Sequence, residues 1–499
     1  MRIPENLRGM RRGIEKESLR VRPDGTLAQT LHPQALGAAL THPHITTDFS
    51  ESQLELITGA LPSVEACLEE LTQIHQVVYR HVGDEVLWCA SMPCNLPADH
   101  LIPIGRYGIS NVGRAKTVYR LGLAHRYGRR MQAISGIHYN FSLPGVTDEQ
   151  YFGLIRNFRR HSWLLLYLFG ASPAVCSSFV AGRNHELQEL APGTHYGPHA
   201  TSLRMGRLGY QSDAQASLCV SYNNLKDYTA SLYGALTQPY PPYEKIGLME
   251  SSGSGDDYKQ LNTTLLQIEN EFYSTIRPKR RITRGERPLH ALRERGVEYV
   301  EVRLMDLDPF CPIGITPQTC RFLDIFLLQC LLSDSPPDTP REITEVGHNQ
   351  QTVALRGREP GLALERNGRR AHLSDWAKEV MAQCEPIAAA IDAQLDGAAY
   401  RDAFNAMQKI VADAELAPSA RVLHALARNH ENSFVRFAQI ESTLHKATLQ
   451  HLELPREVRE RFSRFALESL QAQRDLEATD ELDFETFRLR YLAPDLLRV

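Results

Sequence analysis

The segment Gly13-Ile14-Glu15-Lys16-Glu17-Ser18-Leu19-Arg20-Val21 sets two carboxylates two residues apart. Side chains alternate along a strand, so in that conformation Glu15 and Glu17 share a face. Adjacent carboxylates repel unless a cation lies between them, and hard oxygen ligands suit Mg²⁺ or Mn²⁺ better than zinc. The same spacing also describes a strand with a solvated acidic face. Two further acids, Asp48 and Glu55, lie in Thr46-Thr47-Asp48-Phe49-Ser50-Glu51-Ser52-Gln53-Leu54-Glu55-Leu56-Ile57-Thr58, as metal ligands or as boundary and surface residues. In Gly136-Ile137-His138-Tyr139-Asn140-Phe141-Ser142-Leu143, the apolar residues fall on one face and His138, Asn140 and Ser142 on the other. His138 there is a metal ligand, a phosphate contact or a hydrogen-bonded structural histidine. In Gly296-Val297-Glu298-Tyr299-Val300-Glu301-Val302-Arg303, alternation groups Tyr299, Glu301 and Arg303. That is either a same-face ion pair, or a carboxylate for a metal beside an arginine for the phosphate which that metal neutralises. Glu269 and Glu271 add acids ahead of the basic run Arg277 to Arg281.

The common nucleotide and hydrolase signatures are missing: there is no Gly-x-x-x-x-Gly-Lys-Ser/Thr loop, no Gly-x-Gly-x-x-Gly, no His-Glu-x-x-His and no Gly-x-Ser-x-Gly. A nucleotide would therefore be held by carboxylates and arginines from distant segments, as a cup of antiparallel sheet could present them.

The elements that must position these residues divide at the polar, proline-rich stretch Ser333 to Glu345. Before it, Ile14 to Val21, Gly136 to Leu143 and Val297 to Leu304 have a period near two and read as strands among helices. After about Ser374 the apolar residues recur three and four apart, in Trp376 to Leu395, Ala403 to Ala414 and Pro455 to Leu476, so an all-helical region is expected. Gly357 to Gly361 reads as a turn, and Ser251 to Asp257 as a mobile loop.

The 499 residues are 42% hydrophobic and 23% charged, an ordinary globular profile with ample material for a large core. The formal net charge of −4 leaves no global field for nucleic acid or an anionic membrane surface, and Arg129-Arg130 and Arg277 to Arg281 are too short to imply a polyanion. Nine scattered cysteines without a Cys-x-x-Cys pair argue against a disulfide frame or a zinc knuckle and fit a reducing cytosol. Met1 to Gly13 has no apolar core segment, and the longest apolar stretch, Trp163 to Phe169, is too short to span a bilayer. A cytoplasmic protein with no membrane and no nucleic-acid partner is expected.

Taken in order, Gly-Ile-Glu-Lys-Glu-Ser-Leu-Arg-Val, Thr-Thr-Asp-Phe-Ser-Glu, Leu-Glu-Leu-Ile-Thr, Ser-Met-Pro-Cys, Ser-Gly-Ile-His-Tyr-Asn-Phe-Ser, Gln-Ile-Glu-Asn-Glu-Phe-Tyr, Arg-Pro-Lys-Arg and Val-Glu-Tyr-Val-Glu-Val-Arg resemble the motifs of the bacterial, proteobacterial-type glutamate–cysteine ligases, from about Leu7 to Leu364. The resemblance implies an α+β fold, a glutamine-synthetase-like antiparallel sheet funnel with surrounding helices, carried by residues 1–370, and a helical C-terminal extension, 371–499, packed on it. It implies a monomer that uses ATP and Mg²⁺ to join the γ-carboxylate of L-glutamate to the amine of L-cysteine through a γ-glutamyl phosphate, the first step of glutathione biosynthesis. Residue by residue, Glu15, Glu17, Asp48, Glu55, His138 and Glu301 match the metal set, and Arg303 the arginine on the transferred phosphate. Phe49, Tyr119, Leu123, Gln132, Arg204, Tyr210 and Tyr273 match the cysteine pocket. No cysteine of the chain needs a catalytic role, and Cys94 is expected to be structural. Two other outcomes stay open, a related ligase with a different amine acceptor and a non-catalytic binding protein of the same fold.

Overall fold

The computed structural model of the chain describes residues 6–209, 213–215, 218–250, 258–283 and 285–496. Tyr210 and the whole loop expected at 251–257 lie outside the described residues. Twelve strands are found among those described: β1 (Arg11–Val21), β2 (Ile45–Thr47), β3 (Gln53–Ile57), β4 (Val86–Leu87), β5 (Ile137–Ser142), β6 (Ala174–Cys176), β7 (Gln188–Ala191), β8 (Thr194–Tyr196), β9 (Ile276–Lys279), β10 (Tyr299–Met305), β11 (Ala363–Arg366) and β12 (Arg369–His372).

Six of them form one antiparallel sheet in the order β2-β3-β1-β5-β10-β9, with β4 on the far end of β1. The three strands expected from alternation are β1, β5 and β10, side by side at its centre. The sheet's two faces differ as the period-two pattern requires. Ile14, Ile137, Tyr139, Phe141, Val300 and Val302 are fully buried in the main core. That core includes the helices Asp148–Phe169 and Pro317–Leu332, apolar over most of their circumference, with Phe158 and Phe326 edge to face at 5.7 Å. Each such side chain taken fully out of water contributes roughly 1.5–3 kcal/mol. The helix starts are fixed locally: Thr147 and Gln150 close a capping box, and Thr316 caps a helix opened by Pro317.

The C-terminal helices are Leu373–Leu395, Ala399–Ala412, Pro418–Asn429, Phe434–His451, Arg456–Ala478 and Phe484–Tyr491; they cover the three expected segments except for Asp413 and Ala414, beyond the end of the second, and Pro455, which caps the start of the third. The buried cluster beneath the sheet runs from Leu7 to Phe462 and takes in side chains of the helices Leu373–Leu395, Ala399–Ala412, Phe434–His451 and Arg456–Ala478, whereas Val422, Leu426, Phe434 and Phe437 join a second cluster with Phe49, and Phe484 joins a third. The β11–β12 hairpin spans residue 370, turning through Asn367 (φ 53°) and Gly368 (φ 74°), two successive left-handed residues that an Asn-Gly pair adopts readily. All nine cysteines are free thiols and Cys94 is buried. Among the described residues no helix is long and apolar enough to cross a membrane.

Candidate active site

Strand register puts the candidate residues opposite one another on the polar face. Across β1–β3 Glu17 faces Glu55, across β1–β5 Glu15 faces His138, and across β5–β10 Asn140 faces Glu301, which faces Arg277 of β9 in turn. Four carboxylates and an imidazole thus meet on three adjacent rungs. Glu15, Glu55 and His138 can each offer one ligand atom with all three atoms within 4.8 Å of one another, the geometry of a metal-binding group.

His138 Nδ1 lies 2.9 Å from Glu15 Oε2 and 3.9 Å from Glu301 Oε1, while Nε2 lies 3.6 Å from Glu17 Oε1. With Nδ1–H donating to Glu15, Nε2 carries its lone pair into the acidic group, the orientation that a carboxylate partner imposes on a ligating histidine. Asn140 Nδ2 donates to the other oxygen of Glu15 at 2.9 Å. The backbone N–H of Gly136 donates to Glu17 Oε2 at 2.8 Å. A side chain at Gly136 would also put a Cβ 2.0 Å from the Arg204 guanidinium, so glycine is what lets that arginine lie against the strand.

The charges are unevenly balanced. Burial pushes Glu17 up to about 8, Asp48 adding to the effect against the pull of Arg204 and Arg303. Burial, with Glu15, Asp48 and Glu17 close by, raises Glu55 well above the carboxylate range. Glu301 is 1% exposed, and burial opposes its charge, yet Lys279 (3.1 Å) and Arg303 (2.9 Å) hold it well below that range. Glu15, also raised by burial, is brought down by the hydrogen bond from His138. One side of the cluster therefore crowds carboxyl groups that resist ionising together, and the other ends in cations, which suits a divalent ion next to a phosphate.

Lys279 is the residue that sequence reading passed over. It sat in a basic run set aside as too short to imply a polyanion, whereas strand alternation on β9 turns both Arg277 and Lys279 toward Glu301. Asp48 stands at the edge of the cluster, half buried, its backbone carbonyl accepting from Tyr107 and Arg120. Glu269 and Glu271 do not join the site. Glu269 pairs with Arg287 at 2.8 Å, and Glu271 accepts from Arg126 and Tyr127 at 2.8 Å each, which braces the loop leading to Tyr273.

Of the residues assigned to the amine pocket, the described ones, all but Tyr210, gather beside the sheet. Gln132 Nε2 donates to the Tyr273 hydroxyl at 2.7 Å, and the Tyr273 ring meets Tyr127 edge to face at 5.6 Å. Tyr119 and Leu123, one turn apart on the helix Asn111–Tyr127, pack in the same apolar cluster as Phe49. Phe49 is 1% exposed, so it backs this wall from within. Arg204 joins the two groups, its Nη2 donating to the backbone carbonyl of Arg303 at 3.0 Å.

A model of the glutamate–cysteine ligase family matches residues 2–353. The chain is 47% identical to the glutamate–cysteine ligase of Alcanivorax borkumensis, over 97% of this chain and 96% of that protein. It is 50% identical to the glutamate–cysteine ligase of Pseudomonas putida, over 96% and 94%. Among solved structures, the glutamate–cysteine ligase of Francisella tularensis in complex with AMP matches with a TM-score of 0.92 and 37% identity, covering 98% of both chains. The bifunctional glutathione synthetase of Pasteurella multocida, 24% identical with a TM-score of 0.67, shares the fold over 99% of this chain and 57% of its own. The ordered motifs, the antiparallel sheet with its acidic face, and likeness along nearly the whole length agree: the chain belongs to the glutamate–cysteine ligase family.

Proposed function

We propose that the polar face of the sheet is where ATP and the glutamate γ-carboxylate meet over Mg²⁺ or Mn²⁺, with cysteine received beside it. As a member of its family the chain is an ATP-dependent ligase that makes γ-glutamylcysteine, the first step of glutathione synthesis. The observation that carries the site assignment is the convergence of Glu15, Glu17, Glu55, His138 and Glu301 on adjacent rungs, with Arg303 and Lys279 at the edge.

The residues present fit a hard divalent cation. Glu17 and Glu55 face each other across a ladder, where their ionised forms repel and a bound cation would relieve the repulsion, and His138 Nε2 is turned the same way. Glu15, Glu17, Glu55, His138 and Glu301 would hold the metal, with Asp48 at the rim. When bound, Mg²⁺ neutralises phosphate oxygens and brings the two anionic reactants together.

Each chemical step concentrates negative charge. In the first, the glutamate γ-carboxylate oxygen attacks the γ-phosphorus of ATP and ADP leaves. In the second, the cysteine amine attacks the acyl carbon and inorganic phosphate leaves. Arg303, fixed by Glu301 on one side and with its backbone bonded to Arg204 on the other, stands ready for the transferred phosphoryl group. Lys279 adds a second cation on the same carboxylate. Neither step requires a protein nucleophile. Phe49, Tyr119, Leu123, Gln132, Arg204, Tyr210 and Tyr273 are proposed to receive cysteine, the Gln132–Tyr273 bond setting the pocket's polar wall.

We assign the chemistry to residues 1–370 and a buttressing role to 371–499, and take the enzyme to act as a cytoplasmic monomer. The test is purified protein with glutamate, ATP, Mg²⁺ and a panel of amines, the product read by mass. γ-Glutamylcysteine as the main product is the expected result. Preference for another amine would overturn the acceptor assignment, and absence of Mg²⁺-dependent ADP release would overturn the site.

A further inference from the structure

The helix Asn111–Tyr127 carries Lys116, Tyr119, Arg120 and Leu123 at spacings of three and four residues, which places them on one face. Tyr119 and Leu123 belong to the wall assigned to the amine pocket. Lys116 and Arg120 have no part in the chemistry described so far.

Both cations lie on the ring of Tyr107, with Lys116 Nζ 5.4 Å and the Arg120 guanidinium 4.4 Å from its centroid. Tyr107 is itself fixed: it is 1% exposed, and its hydroxyl is bonded to the backbone carbonyls of Thr47 and Asp48 at 2.8 and 2.9 Å. Arg120 Nε donates to the same carbonyl of Asp48, and Nη1 to the carbonyl of Lys116 at 3.0 Å. The guanidinium is thereby held beside the β2–β3 edge of the acidic cluster, close enough to draw Glu55 toward its charged form.

These two differ from the neighbouring cations in having no counter-charge. Arg126, further along the helix, pairs with Glu271 at 2.8 Å, and Lys279 and Arg303 both pair with Glu301. Among the described residues, neither Lys116 nor Arg120 has a carboxylate within ion-pair distance. Lys116 is open to solvent, yet burial pushes its ammonium down to about 8, with Arg120 adding to the effect against the pull of Glu55. A group that solvent reaches and protein still surrounds stands in the wall of a cleft. Two like charges sharing one ring in such a wall are relieved by an anion between them.

The reaction narrows the anion to one. Glutamate ends bonded to the cysteine amine, so it must border both the acidic cluster and the amine pocket, and this helix face does both. ATP has to border only the acidic cluster and the cations on β10 and β9, which lie across β1 and β5 from β3. The γ-carboxylate of glutamate reacts there, which leaves its α-carboxylate to be held elsewhere. We propose, on the strength of the site assignment above, that Lys116 and Arg120 bind the α-carboxylate of glutamate and so select an acid that carries one.

The test is steady-state kinetics on the full-length enzyme and its Lys116→Met, Lys116→Arg and Arg120→Gln variants, each substrate varied with the others saturating and circular dichroism run on every protein. Lys116→Met and Arg120→Gln should raise KM for glutamate about tenfold or more and leave KM for ATP and for cysteine within about threefold, while Lys116→Arg, which keeps the charge, stays within about threefold on all three. Lys116 is exposed, so its variants keep the fold even if the Arg120 variant is unstable. A glutamate KM unmoved in Lys116→Met overturns the proposal, as does a rise that is as large for ATP or cysteine, or a Lys116→Arg enzyme as poor as Lys116→Met. Wild-type protein without Mg²⁺-dependent ADP release would bring down the site assignment and this inference with it; normal wild-type turnover with an unmoved glutamate KM brings down this inference alone.

Discussion

Replacing Glu301 with glutamine changes one oxygen to an amide and removes one charge from the most connected point of the site. In the wild type the two carboxylate oxygens serve Lys279 at 3.1 Å and Arg303 at 2.9 Å, with His138 at 3.9 Å. Glutamine has a single acceptor oxygen, so it keeps one of the two cations and turns an N–H toward the other. A charge-assisted hydrogen bond is worth about 1.5–3 kcal/mol, and the proposed metal would lose a ligand as well. The sum lies in the range of one displaced transition-state contact, about 2.7–4 kcal/mol, or 10²- to 10³-fold in rate. The assay is kcat/KM for ATP at saturating glutamate and cysteine, repeated across a Mg²⁺ titration, with near-ultraviolet circular dichroism to verify the fold. The expected outcome is a loss of about 10²-fold or more together with a raised half-saturating Mg²⁺ concentration. Turnover within about threefold of wild type at an unchanged Mg²⁺ requirement would refute the placement of Glu301 between the metal and Arg303.

Tyr273→Phe removes the acceptor of the 2.7 Å bond from Gln132, worth about 0.5–1.5 kcal/mol, so KM for cysteine should rise about 2- to 13-fold while KM for ATP holds; equal changes in both would displace Tyr273 from the amine pocket. His42 Nδ1 accepts from the backbone N–H groups of His44 and Ile45 at 3.1 and 2.9 Å, and burial, with His44 and His32 nearby, pushes the ring down to about 4. Below about pH 6.5 the unfolded chain takes up a proton that the native ring refuses until about pH 4, so stability is complete above that window and falls as pH drops through it, by about 3 kcal/mol at its lower end. His42→Asn keeps an acceptor that does not titrate, and urea unfolding from pH 7 to 4 should show a shallower decline; parallel curves would discount the imidazole. Asp324→Asn leaves the Arg12 guanidinium, 2.8 Å from the wild-type carboxylate, buried without its counter-charge. A loss of about 3–5 kcal/mol at constant m-value is expected in urea, and a loss under about 1 kcal/mol would show that the pair is not a constraint on the fold.

The chemistry was legible where alternation is strict. Glu15, Glu17, His138, Glu301 and Arg303 sit on strands whose period of two assigns their faces from the sequence alone, and the motif order supplied their common family. The rungs themselves were not legible, because register between distant strands is set by packing: nothing near Glu17 in sequence says that Glu55 lies opposite it. Lys279 was obscured by its neighbours, since Arg280 and Arg281 continue the basic run outward while β9 turns Lys279 inward. Gly136 gave no period to read; its role depends on how close Arg204 comes, a tertiary distance. The Asn367-Gly368 pair did carry a hairpin signal, flanked by two four-residue strands too polar to read as strands.

The division between catalytic sheet and helical extension is weakest where the site is built. On the core side of β1 and β5, Asp324 takes the Arg12 guanidinium, the Tyr139 hydroxyl at 2.8 Å and the Tyr400 hydroxyl at 2.9 Å. Arg12 lies on the strand that carries Glu15 and Glu17, Tyr139 adjoins His138, and Tyr400 comes from the C-terminal helix Ala399–Ala412. One buried carboxylate therefore ties the two strands that carry the proposed ligands to each other and to the extension. Because a one-residue slip would turn Glu15, Glu17 and His138 to the wrong face, a polar tie that fits only one register does for β1 and β5 what apolar contacts alone specify less sharply. The helices after residue 370 thus bear on the geometry of the proposed metal site through Tyr400, although among the described residues none of them supplies a member of the acidic cluster.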